Sequence, residues 1–118
     1  MSMVETPMMK MLGRFLDVTA FRHGVIAGNM ANVDTPNYRT VDIDFRSELQ
    51  RAFGEEGPAI EPVKKDVPGL IERPDGNNVS LDRESLVLAQ NQLQFRAGVA
   101  LLRSELHRIQ SAISEGAR

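Results

Sequence analysis

Apolar residues recur at alternating intervals of four and three along the last third of the chain, from Leu88 to Ile113. This is the period of a coiled-coil seam, kept here over about three and a half heptads. With Ser80 or Asp82 as its cap, it predicts a helix over residues 81–115. The seam consists of Leu88, Gln92, Phe95, Val99, Leu102, Leu106, Ile109 and Ile113. A second, weaker apolar row runs beside it through Leu86, Leu93, Ala97, Ala100 and Leu101.

A shorter stretch near the N-terminus has similar spacing and predicts a helix over residues 8–30. Thr6 is placed to cap this helix, and Pro7 suits its first position, where a missing backbone N–H costs nothing. Arg22 interrupts the apolar stripe. The residues expected to lie opposite the C-terminal seam are Met11, Phe15, Val18 and Val25. Because the two seams differ in length, pairing them leaves apolar surface for further neighbours.

The chain turns sharply after the first helix. Pro36 fixes φ at the first central position of a β-turn, and Asn37 tolerates the positive φ that a type II turn needs at the second. Thr35 precedes a proline and so leaves the helical region. We therefore predict a turn, a short strand and a short helix within residues 31–53. The residues that set the turn are Asn32, Thr35, Pro36, Asn37 and Tyr38.

The middle of the chain is less regular. Residues 41–45 alternate between apolar and acidic, which is typical of a half-buried strand with Asp42 and Asp44 on a solvated face. Glycine and proline cluster in residues 54–80 and exclude a long helix there, so we expect a loop with up to two short strands. The predicted fold class is mostly α. Two long terminal helices form an antiparallel coiled-coil hairpin around a short irregular or β-containing insert, in a single domain of residues 1–118.

Composition narrows the functional classes. The net charge of −2 lacks the basic excess that nucleic-acid binding needs, and the absence of cysteine excludes disulfides and thiolate sites. No His or further acid joins Asp42 and Asp44 at a suitable spacing, and His23 lies far from His107 in the sequence. We therefore expect no catalytic, cofactor or metal site. We also expect neither a secretory leader nor a direct membrane span.

The run from Ala31 to Tyr38 resembles the Ala-Asn-x-x-Thr-Pro-Gly-Tyr motif of the flagellar basal-body rod and hook proteins. Asn37 stands where that family usually has Gly, a mild departure because Asn also tolerates left-handed φ. The continuation through Phe45 is similar to the proximal rod proteins of the family. Residues 76–84 and 91–96 resemble their C-terminal part, with Ser85 and Phe95 in place of the usual Met and Tyr.

The resemblance implies a structural subunit of the proximal rod, exported by the flagellar type III apparatus and located in the periplasmic rod of the basal body. The expected partners are further copies, other rod subunits, the membrane-ring adaptor protein and the export apparatus. Interdigitated helices would bury the seams and transmit torque. From the residues alone, a cytoplasmic helical-hairpin regulatory or adaptor module that binds a partner helix remains the alternative. The expected assembly and packing residues are Met11, Phe15, Val18, Val25, Leu88, Phe95, Val99, Leu102, Leu106 and Ile109.

Overall fold

Two long helices run side by side in a computed structural model that describes residues 5–54 and 61–116. The elements are α1 (Pro7–Ala31), β1 (Val41–Ile43), α2 (Phe45–Gly54), β2 (Lys64–Asp66) and α3 (Leu81–Gly116). A hydrogen bond from Thr6 to Glu105 joins the start of α1 to the last third of α3, and one from Asn29 to Glu84 joins the end of α1 to the start of α3, so the two helices are antiparallel. The mostly α hairpin with a short β-containing insert is confirmed.

Capping residues fix where the long helices begin. The Thr6 hydroxyl accepts a hydrogen bond from the Met9 backbone N–H at 3.1 Å, and Pro7 occupies the first turn of α1. The Ser80 hydroxyl accepts one from the Arg83 backbone N–H at 3.2 Å at the start of α3. Both predicted helices agree with the observed ones to within one residue at each end.

The insert contains a two-stranded antiparallel sheet, with Asp42 of β1 opposite Lys65 of β2. The strand predicted through Phe45 ends earlier, because the Asp44 carboxylate accepts a hydrogen bond from the Ser47 N–H and caps α2 instead. Residues 55–60 of the predicted 54–80 insert lie outside the described residues. Asp44 is exposed, whereas Asp42 is buried, so the expectation that both carboxylates are solvated is wrong for Asp42.

The apolar core follows the inner side of α1. The Phe15 and Phe45 rings meet edge to face with centroids 6.1 Å apart, which joins α1 to α2. The buried apolar residues are Leu12, Val18, Val25, Ile26, Ile43, Val79 and Val87. Several wholly buried side chains are polar, and four of them, Asn29, Thr40, Asn77 and Glu84, converge at the end of the hairpin where α1 stops and α3 begins.

Candidate assembly site

The end of α1 is held by hydrogen bonds from the turn that follows it. Asn32 donates its side-chain amide to the Gly28 carbonyl at 2.7 Å, which satisfies one of the carbonyls left free at a helix C-terminus. The Thr35 hydroxyl donates to the Asn32 side-chain oxygen at 3.0 Å. Asn32 thus ends the helix and orients the turn at the same time.

The β-turn itself spans Thr35 to Tyr38. The Tyr38 backbone N–H donates to the Thr35 carbonyl at 3.2 Å, and Asn37 has φ 64° at the second central position, after Pro36. This is the arrangement that a type II turn requires. Pro36 and Asn37 are exposed, whereas the Tyr38 side chain folds inward.

A second turn, at residues 73–76, packs directly on the first. Gly76 has φ 85°, and a Cβ atom built on it would lie 2.3 Å from the Asn37 side-chain oxygen. The Asn37 N–H donates to the Asp75 carbonyl at 2.9 Å. Two left-handed residues therefore face each other, and Gly76 is the one that has no room for a side chain.

Asn77 and Asn78 bind the backbone of the first turn. The Asn77 amide donates to the carbonyls of Asn32 and Thr35 at 2.9 and 2.8 Å. The Asn78 side-chain oxygen accepts a hydrogen bond from the Thr40 N–H at 2.7 Å. Both asparagines are buried, so their amides replace water as partners for otherwise unpaired backbone groups. The two stretches that carry the family resemblance are thus in contact.

Asn29 lies at the centre of this cluster and uses both ends of its amide. Its oxygen accepts from the Tyr38 hydroxyl at 3.0 Å and from the Val41 N–H at 3.2 Å. Its nitrogen donates to the Val41 carbonyl and to the Glu84 carboxylate, each at 2.7 Å. Burial, with a smaller contribution from the Glu84 charge, raises the pKa of Tyr38. Asn29 thereby joins α1, the turn, β1 and α3.

Four charged side chains extend the cluster. Arg22 donates to both oxygens of Asp42 at 3.1 and 3.0 Å, and Arg83 donates to Asp42 and to Glu84 at 2.7 Å each. Burial alone would raise the pKa of Asp42, but the hydrogen bonds from Arg22 and Arg83 outweigh it and hold the pKa below its usual value. Arg22, which breaks the apolar pattern of α1, is therefore the partner of a buried carboxylate.

The face of α3 that packs on α1 includes polar and small residues beside the apolar Val87. Asn91 donates its amide to the Thr19 carbonyl at 2.8 Å, and a Cβ atom on Gly98 would lie 2.9 Å from side-chain carbons of Phe15 and Leu16. Gly98 thus lets the two helices approach closely. The buried residues of α3 are Glu84, Val87, Asn91 and Gly98.

The predicted seam of α3 lies beside this interface. Val87, Asn91 and Gly98 each precede a seam position by one residue, and one residue turns a helix by about 100°. At Leu88, Gln92 and Val99 the seam therefore lies one residue beside the buried positions of α3, and the packing role of the seam in an assembly stays a prediction. Leu88, Val99, Leu102 and Ile109 are half-buried at the edge of the interface, and Phe95 and Leu106 are exposed. On α1, Val18 and Val25 are buried, Phe15 is half-buried and Met11 is exposed.

Sequence reasoning missed most of the buried polar cluster. The predicted helices contain Asn29, Arg83 and Glu84, and sequence patterns assign polar helix residues to the solvent-exposed face. One signal was available: Arg22 occupies a seam position, and a cation there requires an anionic partner. Neither Asn29 nor Glu84 interrupts an apolar pattern in this way, so the sequence gives no comparable signal for their burial.

Taken together, the described segments define a protein of the helical-hairpin class. Within residues 5–54 and 61–116, no group of three His, Asp or Glu side chains is placed to hold a metal ion. No helix in that part of the chain is both long and apolar enough to cross a bilayer. The prominent features are a buried polar closure at one end and a long α3 with exposed apolar residues.

Comparisons with known proteins give the family. No family model matches the chain. The flagellar basal body rod protein FlgB of Salmonella typhimurium is 32% identical to it, with 86% of this chain and 88% of the relative covered. FlgB of Borrelia hermsii is 36% identical over 70% of this chain and 77% of that protein. FlgB of Escherichia coli is 29% identical over 86% and 88%.

The chain belongs to the FlgB family of flagellar basal body rod proteins. It is a structural subunit of that rod, in keeping with the helical-hairpin architecture.

Proposed function

We propose that this chain is a proximal rod subunit that assembles with further copies and with other rod subunits through α1 and α3. The main support for the proposal is that this member of a rod-protein family exposes apolar seam residues on α3. Phe95 and Leu106 are each 39% exposed, and Ile113 is 55% exposed. Fully burying an exposed Leu, Ile or Phe side chain stabilises by about 1.5–3 kcal/mol, so covering the part of each seam residue that is still exposed gains a fraction of that amount.

The predicted packing residues divide into two groups in this proposal. Val18 and Val25 hold the hairpin together from inside, because both are buried. The half-buried and exposed residues receive the neighbouring helix. These are Met11, Leu88, Phe95, Val99, Leu102, Leu106 and Ile109, whereas Phe15 packs inside the hairpin against Phe45. The turn residues Asn32, Thr35, Pro36, Asn37 and Tyr38 fix the direction in which the insert leaves the hairpin.

We further propose the place and route of this subunit. It stacks as a single rod-type domain of residues 1–118 between the membrane-ring adaptor protein and the next rod subunits, in the periplasmic space. It leaves the cytoplasm as an unfolded chain through the flagellar type III apparatus. A cysteine-free chain suits this route, because its fold needs no disulfide to form after export. Close-packed helix interfaces resist shear, which suits torque transmission.

A deletion strain tests the proposal. We expect loss of the gene to abolish rod, filament and motility, and the wild-type chain to restore them. Leu106→Glu should fail to restore motility, whereas Gln110→Glu, an exposed and already polar position on α3, should restore it. Purified Leu106→Glu should melt within about 3 °C of wild type, because Leu106 is partly exposed in the single chain.

The second candidate is a cytoplasmic helical-hairpin adaptor that binds a single partner helix. The same exposed seam favours it, since one amphipathic helix would cover Phe95 and Leu106 equally well. Normal motility of the deletion strain would contradict the rod proposal and favour the adaptor.

A further inference from the structure

A row of leucines on α3 is more exposed than the seam. Leu86, Leu93 and Leu101 are 61%, 69% and 58% exposed, and Ala97 and Ala100 lie between them. We call these five residues the leucine ridge. Leu86, Leu93, Ala97 and Ala100 lie about 100–160° around α3 from Gly98 of the packing face, and Leu101 lies about 60° from it. The described residues leave the ridge open, and the seam proposed above does not use it.

The outer side of α1 carries mainly small side chains, in contrast to the large leucines of the ridge. Asp17, Ala20, Gly24, Ala27 and Ala31 are all exposed and follow intervals of three and four. A Cβ atom built on Gly24 would meet nothing within 4 Å. Glycine is a poor helix former, and the described chain itself has no need of it at this position. We call these five residues the small-residue strip.

Two grooves flank the strip and share Ala20, with volumes of about 360 and 340 Å³. Asn91 lines the larger groove and is 1% exposed. Its side-chain oxygen has no hydrogen-bond partner among the described residues. An unpaired buried acceptor is costly, so a donor brought to this groove from outside the chain would stabilise it; the Gln94 side-chain oxygen is likewise buried and unpaired among the described residues.

We propose that the leucine ridge of one copy docks on the small-residue strip of a second copy, with the two helices antiparallel. Leu93 then lies opposite Gly24, where the open space is, and Leu86 lies opposite Ala31. Large side chains entering a surface of small residues let two helices approach closely. The inference rests on the proposed function, because both require the chain to self-associate.

Charge selects the antiparallel orientation. With Leu93 opposite Gly24, antiparallel pairing brings Asp17 between Arg96 and Arg103, which are exposed beside the ridge. Parallel pairing would instead place Asp17 near both Asp82, a like charge, and Arg83, which is already paired with Asp42 and Glu84.

The contact is heterologous, because ridge and strip belong to different helices. Each copy that binds a neighbour through its ridge keeps its own strip free for another. Such contacts propagate into open arrays when the rotation between copies does not close, as a rod requires.

The cysteine-free chain allows a direct test by disulfide formation. We expect full-length Gly24→Cys and Leu93→Cys proteins to form a mixed disulfide dimer when they are combined and oxidised at concentrations where the chain self-associates. The control combines Leu93→Cys with Ile71→Cys, which is 89% exposed on the insert and should give no such dimer. Self-association without the Gly24–Leu93 disulfide would overturn the inference.

Charge exchange tests the orientation and separates contacts between copies from contacts within one. Adding Asp17→Arg to the Gly24→Cys protein, or Arg96→Glu to the Leu93→Cys protein, should lower the disulfide yield about two- to fivefold. Combining the two altered proteins should restore part of the lost yield, because opposite signs then meet again between positions 17 and 96, while Arg103 stays positive. A yield that stays low in that combination would count against the antiparallel pairing.

The two proposals can fail separately. If the wild-type chain restores motility to the deletion strain but no Gly24–Leu93 disulfide forms, the inference is wrong and the rod function stands. If the deletion strain swims normally, the rod function is wrong whatever the disulfide experiment shows.

Discussion

Asn29 donates a hydrogen bond to Glu84 at 2.7 Å, and both side chains are 0% exposed. The bond connects the last turn of α1 to the first turn of α3, so it closes the hairpin. The same amide also pairs with Val41 and Tyr38. One side chain therefore sets the positions of both helices, the strand and the turn relative to one another.

Asn29→Ala should lower the free energy of unfolding by about 3 kcal/mol, because it takes a donor from a buried carboxylate and leaves the Val41 backbone unpaired. Urea unfolding followed by circular dichroism would measure the change. Ser85→Ala, at the exposed position after Glu84, should stay within about 0.5 kcal/mol of wild type. A loss under about 1 kcal/mol for Asn29→Ala would show that the bond does not close the hairpin.

Asp42 should make the stability of the hairpin depend on pH in acid. Its pKa is lowered in the folded state, so the folded chain binds the proton less readily than the unfolded chain. The stabilisation is therefore fully present above the unfolded pKa of about 3.9 and is lost as the pH falls through the lower folded pKa. Unfolding measured between about pH 2 and 7 should show this decline.

Asp42→Asn should remove that part of the pH dependence and cost about 3 kcal/mol at neutral pH, because Arg22 and Arg83 lose their shared anion. Asp66→Asn, on the exposed strand β2, controls for the loss of one negative charge. If the free energy of unfolding of Asp42→Asn fell in acid as that of wild type does, the loss of stability could not be attributed to Asp42.

Gly76→Ala should destabilise the paired turns by about 1–3 kcal/mol, because the new methyl group collides with the Asn37 side chain and Ala disfavours φ 85°. Thermal unfolding would show the loss. Gly24→Ala is the matched control, since it lies in a helix with open space above it and should stabilise the dilute chain by about 0.5–1 kcal/mol. Equal melting temperatures for the two variants would argue against the close approach of the turns.

Gly98→Val should force α1 and α3 apart and cost about 1–3 kcal/mol, since its side chain would overlap Phe15 and Leu16. Gly98→Ala should cost less, because the ends of those side chains can shift and Ala favours the helix. Denaturant unfolding of both proteins, with Gly28→Ala as the control at an open helical position, would rank them. A Gly98→Val protein as stable as wild type would mean that the helices do not touch there.

Local chemistry made the elements of this fold predictable. Thr6 with Pro7, and Ser80 before Leu81, are capping signals that act within one turn, and the helices begin where those residues indicate. Pro36 and Asn37 set a turn from backbone preferences alone, and Asn37 has the positive φ expected of it. The apolar spacing of α3 similarly predicted a helix with more apolar surface than one partner covers.

Only the tertiary structure decided which face of each element turns inward. A heptad pattern shows that a face is apolar but not what covers it, and here α3 packs on α1 through Asn91 and Gly98 while the apolar seam lies one residue away. The alternation around Asp42 likewise indicated a solvated carboxylate. Arg22 and Arg83, 20 residues before it and 41 after it, bury that carboxylate. Contacts between residues so far apart depend on how the chain closes in three dimensions, and local periodicity carries no information about them.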